Sequence, residues 1–187
     1  LPVCSRATDG FYEVTDEITG DLKETVSVVV IDVSENEIET RYSWRGTERP
    51  RVIVFDPTWS RIDDSVWKYK PSDGTGVQPP LEVGKEWRFD YSASHFYNGT
   101  AVRTTGQSKV TAREKVTTGA GTFDTFKIET VMRQVNANDQ TKAATINTTT
   151  WYAPVVNRWV RRSFTQKIEG RVREANTEEL TDYSRKP

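Results

Sequence analysis

Cysteine is almost missing. Cys4 is the only one in 187 residues, so no disulfide can close within the chain and no thiolate zinc site can be assembled. Histidine is as scarce, with His95 alone, so a metal would have to be held largely by carboxylates. No sign of charge dominates. The 26 basic and 27 acidic residues leave a net charge of −1, which argues against nucleic acid as a partner and against long-range steering of a charged one. Long apolar runs are lacking too. The longest, Val28-Val29-Val30-Ile31, is far too short to span a bilayer as a helix, so the chain does not read as membrane-spanning. There is no phosphate-cradling loop: Gly74-Thr75-Gly76 has neither the helix nor the Lys such a loop needs, and Gly119-Ala120-Gly121 leads into a strand pattern. Amphipathic helical spacing is not sustained anywhere, and only Glu174 to Leu180 suggests a short helical turn.

What is present is alternation. Ile38, Thr40, Tyr42 and Trp44 interleave with Glu39, Arg41 and Ser43, and Trp87, Phe89, Tyr91, Ala93, His95 and Tyr97 share one face opposite Arg88, Asp90, Ser92 and Ser94. Val110, Ala112, Glu114 and Val116 form a further set, as do Phe126, Ile128, Thr130 and Met132, and Ile146, Thr148, Thr150 and Tyr152. Val160, Phe164 and Ile168 share a face of a long C-terminal segment, with Trp159 and Arg161 on the other. Period two with one apolar face marks strands that cover a core on one side only. Asn98-Gly99 is the strongest two-residue hairpin signal, with Ser34 to Asn36, Asn136 to Asp139 and Glu169-Gly170 behind it. Roughly ten strands joined by short turns predict an all-β, curved antiparallel meander: a half-barrel, barrel or sandwich with little or no helix. One domain over 1–187 is expected, with a sub-boundary in the turn-rich loop 71–80 and two faintly similar halves about it.

Chemistry is thinly represented. His95 sits in an aromatic strand and reads as a packed, hydrogen-bonded ring. Asp63-Asp64 and Glu178-Glu179 are adjacent pairs, and neighbours on a strand point to opposite faces, so neither pair suits paired-carboxylate catalysis. No catalytic constellation, cofactor site or metal site is expected. Arg158, Arg161 and Arg162, with nearby Glu174, Glu178 and Glu179, read as a salt-laced solvent face. The six tryptophans are the most unusual feature. Trp44 and Trp87 alternate cleanly and read as core. Trp151 and Trp159 fall on mixed polar faces, and with His95 and Tyr97 they are the candidate ligand-groove residues.

Three segments resemble uncharacterised bacterial envelope proteins of the DUF3108-like or TapB-like families. They are Pro80-Leu81-Glu82-Val83-Gly84-Lys85-Glu86-Trp87; Glu114-Lys115-Val116 followed by Gly119 to Ile128 (GAGTFDTFKI); and Trp151-Tyr152-Ala153-Pro154 with Val160. Val155 to Arg158 departs from the glycine usual after the Ala-Pro pair, and Asn157 is the residue able to adopt the left-handed turn there. The resemblance covers about the C-terminal hundred residues and implies a curved all-β architecture in the periplasm or cell envelope, without established catalytic residues. Leu1-Pro2-Val3-Cys4 is superficially like a lipoprotein cleavage site, but Val3 stands where a small residue is wanted, so lipidation of Cys4 is not expected. With Leu1 first and Met132 the sole methionine, a processed protein or an excised domain is expected.

The functional expectation is a non-catalytic envelope domain holding an apolar or amphipathic ligand, lipid-like, on the concave side of its sheet, or contacting another envelope protein. The alternatives are a carbohydrate or cell-wall module stacking sugars on Trp151 or Trp159, and an interaction domain of a larger protein. A hydrolase ranks last.

Overall fold

The computed structural model describes residues 8–185; Leu1 to Cys4 lie outside them. The strands are β1 (Thr8–Asp16), β2 (Leu22–Val33), β3 (Ile38–Trp44), β4 (Arg51–Phe55), β5 (Arg61–Asp63), β6 (Trp67–Lys70), β7 (Glu86–His95), β8 (Ala101–Thr118), β9 (Gly121–Asn136), β10 (Ala143–Ala153), β11 (Arg158–Ile168) and β12 (Arg171–Arg185). Each pairs antiparallel with its sequence neighbours, and β1 pairs with β12, so the sheet closes into a barrel. Closure leaves no free sheet edge. Of the three expected shapes, the barrel is the one found. Loop 71–80 is not a spacer: β6 and β7 pair across it, Trp67 opposite His95, and the loop packs into the barrel end.

An up-and-down meander alternates its connections between two ends, and here the ends differ. At one lie the turns 34–37, 56–60, 119–120 and 154–157 and the long loop 71–85. Trp59, Val77 and Val156 from these segments are buried and join Phe55, Ile38, Val30 and Leu180 in one apolar cluster. Gly76 makes the loop's approach possible, since a Cβ there would stand 2.2 Å from the Thr58 carbonyl oxygen. The long β8–β9 hairpin folds its tip over the same end. Arg161 Nη2 donates to the Thr117 carbonyl at 3.0 Å, the Ala120 amide donates to the Leu180 carbonyl at 3.3 Å, and the Phe123 ring meets Tyr183 edge-on at 5.8 Å. The hairpin tip up to Thr125, which lies beyond the pairing of β9 with β10, is thus a lid built from the wall. At the opposite end Ile18, Leu22, Phe96 and Tyr97 are exposed around the rim.

The outer wall is charged. Arg88, Asp90, Arg103, Lys109, Glu129 and Arg133 of β7–β9 all face solvent, the reverse of the apolar band a lipid-facing barrel wall carries. No helix of the described residues is long and apolar enough to cross a membrane.

Several expectations are corrected. Glu174 to Leu180 is strand, not helix: it lies in β12, where Glu178 sits opposite Arg162 and Asn176 opposite Phe164. Trp159 does not share the outer face with Arg161. The register shifts between Trp151 and Tyr152, whose partners are Arg161 and Trp159, so Val160 is an extra residue and its neighbours keep different sides. A second shift, between Val110 and Ala112, turns the hairpin tip: Ile128, Thr130 and Met132 are buried, but beyond the shift it is Thr125 and Phe123. Phe126 is only half-buried, beneath the Arg113 guanidinium at 5.6 Å. Asn98-Gly99 sits in a five-residue connection, 96–100, rather than a two-residue turn. The two-residue turn is Glu169-Gly170, with φ of 52° and 74° at its two positions, the twist a tight hairpin requires.

If the hairpin tip seals the barrel, Phe123→Ala lowers the free energy of unfolding by about 3–5 kcal/mol, the cost of deleting a buried ring. Urea unfolding followed by tryptophan fluorescence measures it. A loss below about 1 kcal/mol, the size of an ordinary surface change, contradicts the lid.

Candidate functional site in the barrel lumen

Above the packed end the barrel is hollow. Its lumen encloses a cavity of about 620 Å³, within the ~300–1,000 Å³ range of small-molecule sites. Apolar wall comes from Val26, Ile53, Ala93, Val102, Met132, Ile146 and Phe164, and rings from Trp44, Trp67, Tyr69 and Tyr91. Tyr42 and Trp159 form its floor, and Arg61, Asp64, Asp73, Arg162, Gln134, Gln166, Asn176 and Glu178 supply polarity. The lining is amphipathic, not greasy.

Arg158 closes the floor. It is 1% exposed and surrounded by four rings, its guanidinium carbon 4.4 Å from the centre of Trp159, 4.9 Å from Trp59 and 5.6 Å from Tyr12 and Tyr42. Nη2 donates to the Tyr42 hydroxyl, while Nε and Nη1 find no acceptor. Ring faces take the place of a counter-ion, through the attraction of a cation to an aromatic quadrupole. The Tyr12 hydroxyl donates to the Trp159 carbonyl at 3.2 Å, tying β1 to β11 across the floor.

On one side of the lumen a network holds two carboxylates. Asp64 accepts from the Tyr69 hydroxyl at 2.8 Å, from Arg61 Nη1 at 3.3 Å, and from the amides of Val66 and Trp67 at 3.0 and 2.6 Å. Asp73, carried in by loop 71–80, accepts from the Arg61 amide at 3.0 Å and from Thr75 through both amide and hydroxyl. Opposite them Glu178 accepts from Trp159 Nε1 at 3.0 Å. Arg162 is Glu178's cross-strand partner, yet it makes no ion pair. Its guanidinium lies over Trp159, 5.3 Å from the ring centre. Burial, then the like charge of Arg61, push the Arg162 pKa down from its ordinary value.

The four groove candidates separate. Trp159 is 6% exposed and lines the floor. Trp151 faces outward: its Nε1 donates to Glu114 at 2.6 Å, and Lys127 and Arg161 lie over its ring at 5.9 and 5.8 Å. His95 lies at the rim, edge-on to Trp67 at 4.9 Å, its Nδ1 accepting the Tyr97 amide at 3.2 Å. Tyr97 is 81% exposed in the turn beyond. The expected solvent-facing arginine cluster is corrected as well. Arg158 is buried and Arg162 lines the lumen, while Arg161 alone stays outside, paired to Glu179 at 2.8 Å. Asp64 and Glu178, each one half of an adjacent acidic pair, also face the lumen. In the sequence Arg162 and Gln166 share period two with Phe164, a signal that they point inward. Among the described residues no group of three or more His, Cys, Asp or Glu is placed to hold a metal ion.

The architecture recurs in solved structures. A candidate lipoprotein from Parabacteroides distasonis superposes with a TM-score of 0.61 at 14% identity, covering 96% of both chains. A candidate exported protein with a YmcC-like fold from Bacteroides fragilis gives 0.60 at 12% identity over 97% of both chains. The hypothetical lipoprotein YmcC of Escherichia coli gives 0.52 at 8% identity over 97% of this chain and 84% of its own. At such identities what is shared is the fold. No protein-family model matches the chain, and no curated protein does, so the family naming suggested by the three sequence segments gains no support from them.

Two outcomes test the floor. Arg158→Ala empties the aromatic cage and orphans the Tyr42 hydroxyl, and it should cost roughly 2–5 kcal/mol of stability. Arg158→Lys should not restore it, because a compact ammonium cannot present a plane to four rings. Alkali is the second test. Burial raises the pKa of Tyr12, Tyr42, Tyr69 and Tyr91, and lifts Tyr152 to about 12. A folded value above the unfolded value of 10.0 favours the folded state fully below that pH, and the advantage is lost as pH rises through the folded values. Urea midpoints should hold steady to about pH 9 and fall steeply above about 10. A midpoint flat to pH 12 contradicts the burial.

Proposed function

We propose that this protein is a non-catalytic, envelope-associated binding domain that holds an amphipathic small molecule in the lumen of its barrel. The observation that carries this reading is the half-filled barrel, packed at one end and lined at the other by rings, aliphatics and a few placed charges. A lumen needed only for stability would be packed throughout, since empty space forfeits contact energy. The composition of the wall refines the ligand. A purely apolar guest would strand Arg61, Arg162 and Glu178 without water, whereas an amphiphile satisfies both kinds of surface.

Binding is favoured over catalysis because the lumen carboxylates are engaged. Asp64 and Asp73 are held by backbone amides, hydroxyls and Arg61, which locks them as acceptors rather than leaving one to shuttle protons. Sugar stacking on an exposed ring is disfavoured because Trp151 is flanked by two cations and Trp159 is buried. An envelope location is supported by the candidate lipoproteins and exported protein that share the fold.

Trp44, Trp67 and Trp159 line the lumen, so occupancy is readable in intrinsic fluorescence. Titration with laurate and with dodecanol should give a saturable change. Ala93→Phe, which puts a ring into the lumen from a wall position 3% exposed, should weaken the response at least tenfold while circular dichroism stays barrel-like. No response from the native protein, or an unchanged response from the filled variant, would sink the reading.

A further inference from the structure

Among the described residues, three polar side chains that line the lumen keep hydrogen-bonding capacity unspent. Among the described residues Arg162 finds no side-chain hydrogen bond or ion pair, although its lumen position keeps it only half exposed and over the Trp159 ring. Arg61 Nε is buried without a partner, 4.0 Å from Asp73 Oδ2 and outside hydrogen-bond geometry. The Thr148 hydroxyl, on a residue 3% exposed, is likewise unpartnered. It lies on β10 directly opposite Phe164, and Thr150 is opposite Arg162. Both arginines sit toward the packed end, Arg61 as the first residue of β5 after a turn there and Arg162 four residues above Arg158. Buried polar groups are normally satisfied; a guanidinium can only donate and a hydroxyl can do either, so one acceptor suits all three, and the unpaired charge of Arg162 describes it as negatively charged.

We propose that Arg162 and Arg61, with the Thr148 hydroxyl, form an anion subsite deep in the lumen, and that the ligand is an amphiphile entering head first, its carboxylate or phosphate against these donors and its chain along the rings toward the open rim. The inference rests on the binding reading above and names the ligand class. The nearby acids do not fill the subsite. Asp64 takes Arg61 Nη1 at 3.3 Å but leaves Nε free, Asp73 is spent on amides and a hydroxyl, and Glu178 is turned to Trp159 Nε1.

The test compares laurate, dodecyl phosphate, dodecanol and inorganic phosphate by fluorescence titration and calorimetry. The native protein should bind laurate or dodecyl phosphate at least tenfold more tightly than dodecanol, the scale of a hydrogen bond to a charged group. Which of the two anions binds better identifies the head. Arg162→Gln should erase the preference, bringing laurate and dodecyl phosphate to within about twofold of dodecanol, whereas Arg162→Lys should keep much of it. The native charged-to-uncharged ratio needs no variant and stands even if Arg162→Gln fails to fold. Equal binding of laurate and dodecanol overturns the subsite but leaves the amphiphile reading intact. Saturable inorganic phosphate binding without any response to the chains upholds the subsite and overturns the amphiphile. Silence from all four probes overturns both.

Discussion

Arg158 is buried with no carboxylate hydrogen-bonded to it, so its charge has to be held by what surrounds it. Four rings from four separate segments supply that environment: Tyr12 from β1, Tyr42 from β3, Trp59 from the turn 56–60 and Trp159 from β11. Charge in a low-dielectric interior is expensive unless its partners are fixed. The cage therefore constrains all four segments at once, and Asn157, with φ of 58°, sets the turn that delivers Arg158 to it. Below this plane lie Phe55, Val77, Val156 and Leu180 in close packing; above it the wall continues but the filling stops. The position of one guanidinium divides a solid half from a hollow one.

That division explains how the two ends are built. A barrel of twelve strands is too wide for its own side chains to fill, and this one solves the problem at one end by folding wall and loop inward. The β8–β9 hairpin bends over at the Val110–Ala112 irregularity, and loop 71–80 brings Val77 and Asp73 inside. The same loop thus adds apolar packing below and a lumen carboxylate above. Among the described residues no comparable segment covers the other end, where Phe96 and Tyr97 stand exposed beside the rim.

The legible part of this fold is the part whose inner face is apolar. Alternation over Ile38 to Trp44 and over Trp87 to Ala93 maps onto β3 and β7, because even their lumen-facing residues, Trp44, Tyr91 and Ala93, are aromatic or aliphatic. Where a strand turns charged or amide side chains into the lumen, the pattern fades. Asn176 and Glu178 of β12 left a stretch that looked helical, and Arg162 and Gln166 of β11 made a lumen face look like solvent. A bulge did further damage. One extra residue at Val160 put Trp159 on the opposite face from the one strict period two assigns. Half-barrel, barrel and sandwich share the same local pattern, and only the pairing of β1 with β12, residues more than a hundred and fifty positions apart in sequence, tells them apart. The polar lumen is also what the function depends on, so the least legible segments and the candidate site coincide.

Side-chain hydrogen exchange at the arginine Nε–H groups, resolved by nitrogen-15 NMR on the intact protein, tests the division most directly. Arg158 should exchange only through opening of the barrel, at a rate that follows global stability as urea is added. Arg162 should exchange orders of magnitude faster and independently of unfolding, because the lumen admits water. Equal protection of the two, or a fast-exchanging Arg158, would mean that no sealed floor separates a packed end from an open one.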